Sequence, residues 1–166
     1  MALIGLGANL ASAEFGSPRH TLDAALAEIA RAGLSVERRS SWYRSRPVPP
    51  SDQPWFVNGV AEIGGEEDPT ALMTSLHEIE ERFGRRRGEV NAARVLDLDL
   101  LDCDGRVSAP GEWPALPHPH IAERAFVLVP LVEIAPAWRH PITGALAAEI
   151  LVALPDRGDV LLLDDG

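Results

Sequence analysis

An α+β sandwich, with one mainly antiparallel sheet and helices packed on it, is the fold class this sequence predicts, and three observations predict it. Short apolar or alternating runs bounded by Gly and Pro read as strands, and two longer segments repeat apolar residues at spacings of three and four. The order of these runs is β-α-β-β-α-β, followed by further helical segments. Finally, 166 residues that are 46% apolar can bury a core as a single domain spanning 1–166 without cross-links, since Cys103 has no partner cysteine in the chain.

Ala2 to Leu6 is an apolar run passing into Gly7-Ala8-Asn9, a buried strand that ends in a loop. From Pro18, Leu22, Ala25, Leu26 and Ile29 share one helical face, and Gly33 stands where a helix C-cap is expected. Leu34 to Tyr43 alternates as a half-buried strand, and the four prolines of Ser45 to Pro54 then impose a loop. Trp55 to Ile63 resumes strand character as far as Gly64-Gly65. Asp68-Pro69 opens a second helix with the stripe Leu72, Met73, Leu76, Ile79 and Phe83, and Gly84 ends it. Arg85 to Arg94 is an Arg-dense loop, and Val95 to Cys103 is the strongest strand pattern in the chain. Beyond it come a proline-rich loop from Ala109 to Pro119, an apolar helix from Arg124 to Ile134 around Pro130, and an amphipathic helix from Gly144 to Leu154. Pro155 to Gly158 reads as a turn and Val160 to Leu163 as a short terminal strand. A ferredoxin-like sandwich with C-terminal additions accounts for this order.

The formal charge of −10 argues against a broad nucleic-acid surface, which needs Lys and Arg over a whole face. No apolar run approaches the roughly 18 residues of a membrane span, and Met1 to Leu10 carries no basic leader. A soluble, cytoplasmic monomer is expected, consistent with the lone cysteine. There is no Walker A loop, and Gly5-Leu6-Gly7 lacks the third glycine of a dinucleotide fingerprint because position 10 is Leu.

The chemistry concentrates in Arg94-Val95-Leu96-Asp97-Leu98-Asp99-Leu100-Leu101. Side chains alternate along a strand, so Asp97 and Asp99 leave one face while Leu96, Leu98 and Leu100 enter the core. Two carboxylates roughly 6 to 7 Å apart repel unless a cation offsets them, and hard oxygen ligands favour Mg²⁺ with substrate phosphate oxygens completing its shell. An isolated Asp-x-Asp is more often a solvated strand face; what changes the balance is the arginine loop immediately upstream, Arg85, Arg86, Arg87 and Arg94, suited to bidentate contact with a polyphosphate. Asp102 and Asp104-Gly105 do not extend the pair into a calcium loop, because Leu101 breaks the ligand spacing and no terminal Glu follows. His118-Pro119-His120 lacks an evident third ligand for zinc.

Four blocks together carry a resemblance: Ser41-Trp42-Tyr43-Arg44-Ser45; Gln53-Pro54-Trp55-Phe56-Val57-Asn58; Gly84-Arg85 with Arg94, Asp97 and Asp99; and Pro117-His118 followed by Arg124-Ala125-Phe126 through Pro136. In order and spacing they resemble the hydroxymethyldihydropterin pyrophosphokinases of folate biosynthesis over nearly the whole chain. The resemblance implies transfer of the β,γ-diphosphate of ATP to 6-hydroxymethyl-7,8-dihydropterin, with two Mg²⁺ ions held by Asp97 and Asp99. It implies phosphate contacts from Arg85 and Arg94, which join the aspartates as the catalytic set. ATP binding falls to His118 and Arg124, with His77 and Glu80 near the nucleotide. Phe56 and Phe126 would sandwich the pterin, Asn58, Ser45 and the backbone around Val48 would meet its polar edge, and Gly7 and Asn9 would lie near it. Without the resemblance, both phenylalanines read as ordinary core residues.

Two departures stand out. Many relatives carry Arg-Trp-Gly-Pro-Arg before the acidic strand, whereas Val90-Asn91-Ala92-Ala93-Arg94 occupies that place, and Pro119 stands where relatives often have Tyr. A binding module on the same fold, or a Mg²⁺-dependent phosphohydrolase, are the alternative readings of these residues.

Overall fold

In the computed structural model, residues 1–84 and 95–164 are described, so Arg85 and Arg94, like the departure at 90–93, lie outside the described residues. The elements are β1 (Ala2–Ala8), α1 (Pro18–Arg31), β2 (Ser35–Arg39), β3 (Tyr43–Ser45), β4 (Phe56–Gly64), α2 (Pro69–Arg82), β5 (Asp97–Cys103), a 3-10 turn (Ile121–Glu123), α3 (Ala125–Ile134), α4 (Ala147–Ala153) and β6 (Val160–Leu162). Both long helices begin as their sequences dictate. The Ser17 hydroxyl accepts from the His20 amide ahead of Pro18, and the Asp68 carboxylate accepts from the Thr70 and Ala71 amides ahead of Pro69.

The strands form one antiparallel sheet in the order β5-β1-β4-β3-β6, and β2 pairs with the far half of β4. This is the ferredoxin-like α+β arrangement with an added edge strand. Alternation divides the apolar residues between two faces. Ile4, Leu6, Ala61, Ile63, Leu98 and Leu100 pack against Leu22, Ala25 and Ile29 of α1 and Leu72, Leu76 and Ile79 of α2. On the opposite face Leu3, Val60 and Leu101 meet Val127, Leu128, Leu131 and Ile134 of α3 and Ala147 of α4. The C-terminal additions therefore build a second helical layer across the sheet.

The run read as one strand from Leu34 to Tyr43 is split into β2 and β3. At the break the Ser40 amide donates to the Val60 carbonyl and the Ser40 hydroxyl accepts from the Val60 amide, so a side chain replaces one rung of the ladder. Trp42 turns into the core, and its indole N–H donates to Asp23 Oδ1 of α1. Its ring lies over Gly59, where a Cβ would stand 2.4 Å from the indole. Alternation alone gives no hint of this, because the irregularity depends on a glycine in the neighbouring strand. The terminal strand forms as expected and pairs with β3. No helix among the described residues is long and apolar enough to cross a membrane.

Candidate active site

Residues directly opposite in an antiparallel pair share a face. Tyr43 opposes Asn58, Asn58 opposes Gly7, and Gly7 opposes Asp97, so one row crosses four strands on the α3 side of the sheet. The neighbouring positions add Ser45 opposite Phe56 and Gly5 opposite Asp99. Glycine keeps the middle of this row low. A Cβ at Gly7 would come within 3.2 Å of Asn58 Oδ1, and its absence leaves an open floor between Asn58 and Asp97.

Above this floor is a cavity of ≈ 420 Å³. Gly7, Asn58 and Phe56 line it from the centre of the sheet, Ser45 and Val48 from β3 and the loop after it, and Asp97 and Asp99 from β5. His118 enters from the proline-rich loop, and Arg124 and Phe126 from the start of α3. Asn58 and Ser45 are buried and coupled, with Asn58 Nδ2 donating to Ser45 Oγ over 2.6 Å. That bond turns the Asn58 carbonyl oxygen towards Gly7. Phe56 and Phe126 are half-buried rather than sealed in the core.

Two contacts shape the electrostatics. Arg124 lies 3.8 Å from Asp99 Oδ2, and its guanidinium carbon is 5.7 Å from the centre of the Phe126 ring. His118 is anchored to the edge of β5 by its amide, which donates to the Leu101 carbonyl. Its Nδ1 accepts from the His120 amide over 3.1 Å. Burial, reinforced by the nearby Arg124 and His120 and opposed by Asp97, pushes the His118 ring down to about 4. The ring is thus neutral at physiological pH with its proton on Nε2, a hydrogen-bond donor carrying no charge.

The helix bearing Arg124 and Phe126 is fixed to the sheet by Glu133. Its carboxylate accepts from the Ser41 amide and hydroxyl and from the Tyr43 hydroxyl, the last over 2.6 Å. Burial works against the Glu133 carboxylate, but these donors and Arg39 outweigh it and hold it below the usual range. Tyr43 moves the other way, pushed up to about 12 by burial and by its bond to Glu133.

Not every expected residue joins the cavity. His77 and Glu80 sit on α2 and are absent from its described lining; Glu80 is buried, and the His77 ring lies 5.8 Å from that of Trp113. Asn9 is a tie rather than part of the wall, its amide donating to Gln53 Oε1 and the Pro54 carbonyl. Sequence reasoning passed over Arg46 and Glu123 and weighed His120 only as a metal ligand, yet all three line the cavity. His120 Nδ1 and Glu123 Oε2 are 2.9 Å apart, an i,i+3 pairing that the motif could have signalled.

Among the described residues, no group of three or more His, Cys, Asp or Glu side chains could enclose a metal. The donor set is a carboxylate pair open to a cavity, which fits Mg²⁺ because that ion keeps waters and accepts substrate oxygens.

A family model described as 7,8-dihydro-6-hydroxymethylpterin-pyrophosphokinase (HPPK) matches residues 3–136. A Synechocystis protein named 2-amino-4-hydroxy-6-hydroxymethyldihydropteridine pyrophosphokinase is 41% identical over 151 residues, covering 90% of this chain and 74% of its own. A protein of the same name from Pseudomonas aeruginosa is 39% identical over 158 residues, covering 93% and 92% respectively. A solved structure of HPPK-DHPS in complex with substrates shares the fold, with a TM-score of 0.65 at 13% identity over 90% of this chain and 42% of that one. From the extent of the family match and the likeness to these relatives over most of the chain, the chain belongs to the 7,8-dihydro-6-hydroxymethylpterin-pyrophosphokinase family.

Proposed function

We propose that the cavity on the α3 side of the sheet is the place where this pyrophosphokinase moves the β,γ-diphosphate of ATP onto the hydroxymethyl group of 6-hydroxymethyl-7,8-dihydropterin, releasing AMP. The observation that carries the reading is the meeting, in one cavity, of a carboxylate pair with two half-buried aromatic rings and a hydrogen-bonded amide edge. A flat heteroaromatic ring system suits the second group, and a metal-bound polyphosphate suits the first.

In this reading Phe56 and Phe126 flank the pterin, while Asn58, Ser45 and the backbone around Val48 hold its polar edge. Two Mg²⁺ ions on Asp97 and Asp99 would, when bound, neutralise charge on the ATP phosphates. His118 donates from Nε2 to an ATP oxygen without adding charge. Arg124 turns from Asp99 to phosphate, Arg85 and Arg94 contact the diphosphate, and His77 and Glu80 lie towards the nucleotide. The hydroxymethyl oxygen attacks the β-phosphorus in line and AMP leaves, a transfer that depends on positioning and charge neutralisation more than on covalent chemistry from the protein. The fold supports one domain over 1–166. The lone cysteine supports a reducing, cytoplasmic location.

The test is incubation with Mg-ATP, with and without the pterin, followed by quantification of AMP, ADP and pterin diphosphate. AMP formed in step with pterin diphosphate is the expected result. ADP release, or nucleotide turnover indifferent to the pterin, would overturn the reading.

A further inference from the structure

The family match ends at Pro136, yet the wall of the cavity is tied to a segment beyond it. The loop between β3 and β4 starts and finishes at the cavity, since its two feet, Ser45 and Phe56, are directly opposite each other in the sheet and both line it. Arg46 also lines the cavity, and Pro47 after it is buried. One interaction draws the feet together and a second ties them to the C-terminal strand. Trp55, beside Phe56, has the guanidinium carbons of Arg44 and Arg46, the neighbours of Ser45, at 5.6 and 5.2 Å from the centre of its ring. Arg46 Nε, moreover, is 2.6 Å from Asp159 Oδ2. Asp159 immediately precedes β6, whose Val160 opposes Ser45 and whose strand is held further by the Leu163 amide donating to the Trp42 carbonyl.

We propose that Arg46 is a positioning residue for the pterin and that Asp159, outside the matched segment, is its anchor, so that the C-terminal strand sets the aperture of the substrate cavity. The inference rests on the reading of this cavity as the pterin site. The aromatic contact fixes where the loop closes on itself, and the ion pair fixes that closure to the sheet. Both groups of the pair are substantially exposed, at 66% and 49%, so the link is weak enough to open while substrate enters. Releasing it loosens the wall next to Ser45 and Val48 without touching Asp97, Asp99 or His118.

The experiment compares dissociation constants for the pterin and for Mg-ATP in Arg46→Ala, Asp159→Ala, the double variant and Asp159→Glu, with Phe126→Ala as reference. Each alanine variant is expected to weaken pterin binding by about two- to five-fold, the scale of one exposed ion pair, and to leave Mg-ATP binding unchanged; Asp159→Ala, at a residue outside the cavity lining, should also keep kcat at saturating pterin. The double variant should be no weaker than either single one, and Asp159→Glu should recover most of the loss. Additive losses, or equal weakening of pterin and ATP binding, would overturn the proposal. So would unchanged pterin binding in both single variants while Phe126→Ala is impaired. Unchanged binding in Phe126→Ala as well would instead remove the cavity reading on which it stands.

Discussion

Asp97 and Asp99 show how far a residue-scale argument reaches. Strand alternation places both on one face from the sequence alone, and β5 turns that face to the cavity. Replacing Asp97 by Ala is expected to cost about 3 kcal/mol of transition-state stabilisation, seen as a loss of roughly a hundred-fold in kcat/KM at excess Mg²⁺. Phe56 and Phe126 were legible only through the family likeness, because an aromatic residue in an apolar run reads as core until a cavity is found beside it. His118 was legible as a candidate that the structure brings to the cavity, but not in its charge state, which depends on burial and on the nearby Arg124. Its ring is held at about 4 when folded, below the usual 6.5. As pH falls from 6.5 towards 4, the unfolded chain therefore takes up a proton that the folded chain refuses, and stability drops. In His118→Gln that uptake is gone, so the gap in unfolding free energy between wild type and variant should narrow from pH 7 to pH 5, measured by urea titration.

At the scale of elements, the helices followed their caps and stripes closely, whereas the second strand did not. The interruption between β2 and β3 depends on Trp42 fitting over Gly59, a relation between positions that no local pattern contains. Gly59→Ala forces a methyl group into the indole and should destabilise the fold by about 1–3 kcal/mol in urea unfolding. The attachment of α3 was equally hidden, since it joins Glu133 to Ser41 and Tyr43 across the chain. Tyr43 is the sole tyrosine, so ultraviolet titration reads it alone. It should ionise near about 12, and in Glu133→Gln closer to 10, with burial keeping part of the shift. Because the folded value exceeds the unfolded one, the stability that Tyr43 contributes is present below pH 10 and fades as pH rises towards 12.

For the molecule as a whole, the element order was enough to recover the sheet and the α1 and α2 layer, because connections between successive elements leave few alternatives. That α3 and α4 cover the other face was not legible. Their apolar content signals burial, but only the alternation of Leu3, Val60 and Leu101 in strands far apart in sequence shows what they bury against. The row from Tyr43 through Asn58 and Gly7 to Asp97 has a consequence for the life of the protein in a cell. Its members come from four strands spread between residues 7 and 97, so if the proposed site is right a partly opened chain has no floor on which substrate can rest. Substrate thus engages the intact sheet alone, and at a hundred times its dissociation constant should add about 2.7 kcal/mol to stability, read as a rise in the thermal midpoint. Bound pterin should then also slow digestion by an added protease, because cleavage needs the opened chain.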